Sequence, residues 1–134
     1  MQTILVLEDE STILTLLRHM LKQYNLVEAT TAEQAIQLFV DCDQQIDLLV
    51  ADLTLPTSSG IQVALHFRSE IPNLPVILTS GYPVGVWGEK DAADLERLGS
   101  NCVAILTKPF QPQVLLNAIC ELIGAPPTEV VRTA

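Results

Sequence analysis

Four short apolar runs in this chain each end in a side chain that can do chemistry. ILVL, residues 4–7, ends in Glu8-Asp9, and DLLVAD, residues 47–52, ends in Asp52. PVILTS, residues 75–80, ends in Ser80, and CVAILTKP, residues 102–109, ends in Lys108-Pro109. Runs this short and this rich in Val, Ile and Leu suit strands covered on both faces rather than amphipathic hairpins. Between them lie segments with helical periodicity. Strand–helix–strand units with short connections and right-handed crossovers give a parallel sheet with helices on both sides.

The helical segments read as follows. Residues 11–24 carry Ile13, Leu16, Leu17, Met20 and Tyr24 as an apolar stripe. A short strand, residues 26–29, precedes Thr31-Ala-Glu-Gln34, which reads as a capping box opening a helix with Ala32, Ala35, Ile36 and Phe39 inward. Residues 56–60 form a loop. Ile61, Ala64, Leu65 and Arg68 share one side of the next helix, which must stop near Pro72. Residues 81–88, GYPVGVWG, are loop-like, and residues 89–98 form a short helix ending at Gly99. Pro112 sits in the first turn of a last helix carrying Val114, Leu115, Ala118, Ile119 and Leu122, and Gly124 ends it. The order is (βα)5. Residues 1–124 are expected to be one domain and 125–134 a frayed tail or truncated linker.

With 134 residues, 49% of them hydrophobic, the chain has enough apolar mass for a single core. Its net charge of −9 argues against direct, non-specific nucleic-acid binding. No apolar run reaches the roughly 20 residues of a membrane span, so no membrane insertion is expected. The start, MQTILVLEDE, lacks a basic region, and a cytoplasmic location is the expectation. Cys42, Cys102 and Cys120 form no metal-binding spacing and read as reduced thiols, at least two of them in the core.

In an open parallel sheet, strand C-termini share one edge, and ligands bind there. Glu8, Asp9 and Asp52 would then meet. Clustered acids raise one another's pKa unless a cation neutralises them. Mg²⁺ suits such oxygen ligands and commonly recruits phosphate oxygens. Asp52, delivered by a rigid strand, can act as a nucleophile toward phosphorus. Lys108 and Ser80 can contact a phosphoryl group at the same edge. The backbone carbonyl of Thr54 can complete a metal shell. Taken singly, each has a plainer reading. Asp52, Glu8 and Asp9 can be turn or helix-cap acids, Lys108 a solvated lysine, and Ser80 a turn serine.

With these motifs in order, the sequence resembles a receiver domain of two-component response regulators, including those found in hybrid histidine kinases. LVLEDE, DLTLPTSSG, PVILTSG and TKPF carry the resemblance, with Asp52, Pro56, Gly60, Ser80 and Lys108 in register. It spans residues 2–123. It implies a flavodoxin-like α/β fold, a doubly wound sandwich on a five-stranded parallel sheet of order 2-1-3-4-5. It implies that Asp52 accepts a phosphoryl group from a phosphohistidine on a sensor histidine kinase or histidine phosphotransfer protein. Glu8, Asp9, Asp52 and the Thr54 carbonyl would hold Mg²⁺, or Mn²⁺ in its place. Ser80 and Lys108 would bind phosphoryl oxygens. Such a domain promotes its own phosphorylation and dephosphorylation and is a switch, not a conventional enzyme.

Three features depart from the family pattern. Ile105 occupies the position where an aromatic residue usually couples to the hydroxyl at Ser80. The stretch between Ser80 and Lys108 is long, and its Val84, Val86 and Trp87 are apolar. Tyr82, together with Thr54, flanks the expected path of a hydrolytic water and is expected to tune loss of the phosphoryl group. His19 and His66 read as helix-surface or half-buried histidines, not phosphodonors. A homodimer through the fourth and fifth elements is open. Two other functions stay in view. One is a phosphorylation-independent interaction module. The other is an Mg²⁺-dependent phosphohydrolase, disfavoured because Thr54 stands where a second acid would be needed.

Overall fold

The computed structural model describes residues 2–56 and 58–124. Its elements alternate: β1 (Thr3–Leu7), α1 (Ser11–Met20), β2 (Asn25–Ala29), α2 (Ala32–Asp41), β3 (Leu48–Asp52), α3 (Gly60–Glu70), β4 (Val76–Ser80), α4 (Glu89–Leu98), β5 (Val103–Thr107) and α5 (Pro112–Ile123). A 3-10 turn, Val84–Val86, lies between β4 and α4. The five strands are parallel in the order β2-β1-β3-β4-β5. This is the expected doubly wound arrangement. Among the described residues no helix is long and apolar enough to cross a membrane.

Alternation along the strands divides the core in two. Leu5, Leu7, Leu49, Ala51, Val76 and Leu78 face α2, α3 and α4, where Phe39 and Phe67 stack with ring centroids 4.1 Å apart. Ile4, Val6, Leu48, Val50 and Ile77 face α1 and α5, meeting Leu14, Leu17, Leu115 and Ile119. Successive strand residues point to opposite faces, so one sheet feeds both clusters.

Several local expectations need correction. The first helix ends at Met20, not residue 24; Leu21 and Tyr24 are buried in the turn that follows, where the Tyr24 N–H donates to the Leu21 carbonyl. Leu16, expected on the inward stripe, is 55% exposed. At roughly 100° per residue, Leu14, Leu17 and Leu21 share a face and Leu16 turns off it. Val114 is likewise exposed, because Leu115 and Ile119 define the buried line of α5. No cysteine is in the core: Cys42 and Cys102 are half-buried at turns and Cys120 lies on the outer side of α5. The Thr31 hydroxyl caps α2 by accepting from the Gln34 N–H, but the Gln34 side chain accepts from Thr30 rather than from Thr31. The expected tail, 125–134, lies outside the described residues.

Two polar ties fix α3 and α4. The Arg68 guanidinium donates to the carbonyls of Leu74, Leu98, Asn101 and Cys102, pinning the end of α3 to the turns before β4 and β5. Asp94, nearly inaccessible on α4, accepts from Gln62 of α3 at 2.6 Å and pairs with Lys90 and Arg97. Burial pushes the Asp94 carboxyl up, but bonds from Lys90 and Gln62 and the charges of Lys90 and Arg97 outweigh it and hold it below its ordinary 3.8. A lowered folded value means the unfolded chain takes up the proton first as pH falls. The stability Asp94 gives is therefore complete above 3.8 and is lost as pH drops through the lower folded value. Urea unfolding across pH should show the stability gap between wild type and Asp94→Asn closing in that window. A gap that stays constant there would contradict the assignment.

Candidate functional site

The site lies at the C-terminal edge of the sheet. Strand β1 leads into α1 on one face and β3 leads into α3 on the other. Such a switch point between neighbouring strands leaves a crevice at their carboxyl ends. Glu8 and Asp9 follow β1, and Asp52 ends β3. The β1–β3 register pairs Leu7 with Ala51, so the residues after each partner meet side by side. The three carboxylates offer oxygens within 4.8 Å of one another. Asp9 is exposed, whereas Glu8 and Asp52 are buried.

Lys108 spans the two buried acids. Its Nζ lies 2.9 Å from Glu8 Oε1 and 3.1 Å from Asp52 Oδ2. The Lys108 N–H also donates to the Ser80 carbonyl, which fastens the start of the β5–α5 connection to the end of β4. The Lys108-Pro109 peptide is cis. Asp52 Oδ1 accepts the Thr54 N–H at 3.2 Å, and Glu8 Oε2 accepts the Glu10 N–H at the same distance. Burial pushes the Glu8 carboxyl above the usual carboxylate range; the Lys108 hydrogen bond opposes this and the Asp52 charge adds to it. Burial opposes the charge on Lys108, yet the bond to Glu8 and the charges of Asp52 and Glu8 prevail and hold its ammonium above its ordinary value. One lysine thus does not neutralise the cluster, and an acidic face remains on the Asp9 side. Three convergent hard oxygen donors with a charge deficit fit a small divalent cation.

Gly60 shows why the loop after β3 has its shape. It begins α3 directly against the C-terminal end of β3, and its N–H donates to the Leu53 carbonyl. A Cβ there would collide with the Asp52 carbonyl oxygen, and would lie 2.9 Å from the Ala51 Cβ and 3.0 Å from the Asp52 carbonyl carbon. Alanine favours a helix interior by about 1 kcal/mol over glycine. Forcing an atom into packed backbone costs about 1–3 kcal/mol. Gly60→Ala should therefore lower stability in a urea titration despite its better propensity, and a gain would refute the close packing.

The other expected residues fall as follows. Ser80 is fully buried at the end of β4 and bonds to the Tyr82 backbone in both directions. Thr54 is exposed beyond Asp52, bridged to Ser59. The Tyr82 side chain is exposed. Ile105 is half-buried in β5 opposite Leu78, packed against the α2–α4 side of the core along with Trp87. His19 and His66 are exposed, as surface histidines should be. The sequence reading missed the Asp94 and Arg68 ties. Lys90 and Arg97, placed at four residues before and three after Asp94, were the available signal for the first.

The profile of the response regulator receiver domain matches residues 4–120. This chain belongs to that family. It is 31% identical over 114 residues to the alkaline phosphatase synthesis transcriptional regulatory protein PhoP of Bacillus subtilis, covering 82% of this chain and 43% of the relative. It is 31% identical over 119 residues to the phosphate regulon transcriptional regulatory protein PhoB of Pseudomonas aeruginosa, covering 86% and 48%. The receiver domain thus spans less than half the length of these curated relatives. Among solved structures, a response regulator receiver domain protein of Clostridium thermocellum superposes with a TM-score of 0.77 at 26% identity, covering 98% of this chain and 99% of that one. The response regulator TrrA of Thermotoga maritima, solved in complex with Mg²⁺ and BeF, gives 0.73 at 25% identity, covering 92% and 100%.

Proposed function

We propose that this receiver domain is a phosphoacceptor switch with Asp52 as acceptor. The observation that carries this reading is the convergence of Glu8, Asp9 and Asp52 within 4.8 Å, with Lys108 bridging Glu8 and Asp52. An Asp52 carboxylate oxygen attacks the phosphorus of a phosphohistidine. The new O–P bond forms as the P–N bond breaks, and the electron pair returns to the imidazole nitrogen, which takes up a proton. Lys108 exchanges its contact with Asp52 for one with a phosphoryl oxygen, and the Ser80 hydroxyl donates to another. Glu8, Asp9, Asp52 and the Thr54 carbonyl would hold Mg²⁺ or Mn²⁺. Such an ion offsets charge on the transferring group, for which positioning and electrostatics supply most of the catalysis.

The donor is a sensor histidine kinase or histidine phosphotransfer protein. An apolar cleft beside the site supports a helical partner there: it is lined by Ile13, Leu16 and Met20 of α1 and by Lys108, Pro109 and Phe110. The exposure of Leu16 is then a property of the docking surface. A homodimer through the fourth and fifth elements draws support from an open apolar groove of Leu95, Val103 and Ile105. The aliphatic Ile105 favours a second reading, a phosphorylation-independent interaction module.

Incubation with Mg²⁺ and phosphoramidate, followed by intact-mass analysis, tests the proposal. One phosphoryl group per chain is the expected result. A folded protein that gains none would leave the interaction module as the better reading, and steady turnover of a small phosphomonoester would point to a hydrolase.

A further inference from the structure

The loop between β3 and α3 is tied into the site at one end and to α4 at the other. Asp52 Oδ1 accepts the Thr54 N–H at 3.2 Å, and Thr54 pairs with Ser59 in an antiparallel bridge. The Ser59 hydroxyl accepts the Gln62 N–H at 3.4 Å. The Gln62 side-chain amide then donates to Asp94 Oδ2 of α4 at 2.6 Å. A cleft of about 430 Å³ is lined by Thr54, Ser58 and Ser59 of the loop, by Gln62, and by Lys90 and Asp91 of α4. Among the described residues, no other hydrogen bond or ion pair joins α4 to this loop or to the first turn of α3. Asp94 and Leu98 are the buried residues of α4, so a carboxylate holds a place on its inner face. Neither Gln62 nor Asp94 belongs to the Glu8, Asp9 and Asp52 cluster.

We propose that Gln62 and Asp94 are positioning residues of the phosphoacceptor site: their hydrogen bond braces the Thr54–Ser59 loop against α4, and the affinity of the site for a divalent ion depends on that brace. This rests on the phosphoacceptor reading above, in which the Thr54 carbonyl is a ligand of the ion. A backbone ligand is placed by the conformation of its loop, not by a rotamer, so a loop that shifts takes the ligand with it. Burying a carboxylate is a poor way to gain stability, since an apolar pair of similar volume often does as well or better. What the bond adds is direction. It fixes how α4 sits on the first turn of α3, and the Ser59 cap and the Thr54–Ser59 bridge carry that constraint to Thr54. Coupling between two sites is reciprocal. A partner that reseats α4 therefore changes ion binding at Asp52, and the ion changes the seating of α4.

Titration of the whole chain with Mg²⁺ alone, followed on the Thr54 amide by proton–nitrogen NMR, tests this. Gln62→Leu keeps the bulk of the side chain, removes the donor and changes no charge. It is expected to raise the half-saturating Mg²⁺ concentration by about two- to thirtyfold, the range for residues that modulate a site without touching its ligand. Asp94→Leu should do the same, and the double variant should be no weaker than either single one, because the two act as a pair. Asp94→Asn keeps an oxygen that accepts from Gln62 and should bind more tightly than Asp94→Leu. Both Asp94 variants lose the same charge, so a difference between them reports the bond and not the field. Circular dichroism checks that each variant is folded. Folded Gln62→Leu and Asp94→Leu variants that titrate like wild type would overturn the brace and leave the phosphoacceptor reading intact. Asp94→Asn as weak as Asp94→Leu would also overturn the brace. A wild-type Thr54 amide that Mg²⁺ does not move would overturn the ion site and the brace with it.

Discussion

Asp52→Asn should take up no detectable phosphoryl group from Mg²⁺ and phosphoramidate under conditions that modify the wild type. Asparagine keeps the shape of the side chain and replaces the attacking oxygen anion with a neutral amide. Loss of a nucleophile costs at least about a thousandfold in rate, which intact-mass detection reads as no adduct. Fold is not the confounding factor here. Lys108 keeps Glu8 as a partner, and the Asp52 charge that raises the Glu8 pKa is removed, so the variant is expected to fold. Circular dichroism and the urea midpoint would check this. An adduct of equal yield on the variant would move the acceptor elsewhere, and peptide mapping would find it.

Phe67→Ala should cost about 3–5 kcal/mol, the range for truncating a buried aromatic ring. Phe67 is fully buried in α3 and stacked on Phe39 of α2 at 4.1 Å with an interplanar angle of 12°. The ring links these two helices over the sheet, and such a pair contributes about 0.5–1.5 kcal/mol beyond its buried area. A domain of this size is stable by only about 5–15 kcal/mol, so the loss is a large fraction of the total. Leu16→Ala is the matched control. A site as exposed as Leu16 should change stability by no more than about 0.5 kcal/mol. Equal urea midpoints for the two variants would show that the helix faces have been assigned wrongly.

Helix boundaries were legible where a local device marks them. Thr31 and Ser59 cap α2 and α3 through their side chains, and Gly99 and Gly124 follow α4 and α5 with positive φ. Leu21 to Tyr24 had no such marker, and the apolar pattern ran on past the real helix end into a buried turn. The inward face of α1 is ambiguous in the sequence for a related reason. Both Leu14 and Leu16 are apolar, and only the direction in which α1 meets the sheet decides which is covered. The cysteines depart from the expected burial because residue type gives only a tendency, while their places at turns and on the outside of α5 leave them half-buried or exposed.

At the site, local sequence was enough to say which chemistry is present and that it sits at strand ends. Apolar alternation and turn residues are short-range properties, so Glu8, Asp9, Asp52, Ser80 and Lys108 could be placed one strand at a time. Packing of the whole sheet sets the burial of Glu8 beside an exposed Asp9, and it brings Lys108 across 100 positions to Glu8 while also touching Asp52. It alone turned the Ser80 hydroxyl to the Tyr82 carbonyl and brought Trp87 to the same atom. These are relations between segments, set by strand register and by which helix covers which face. No local pattern encodes a partner whose position depends on how the whole sheet packs.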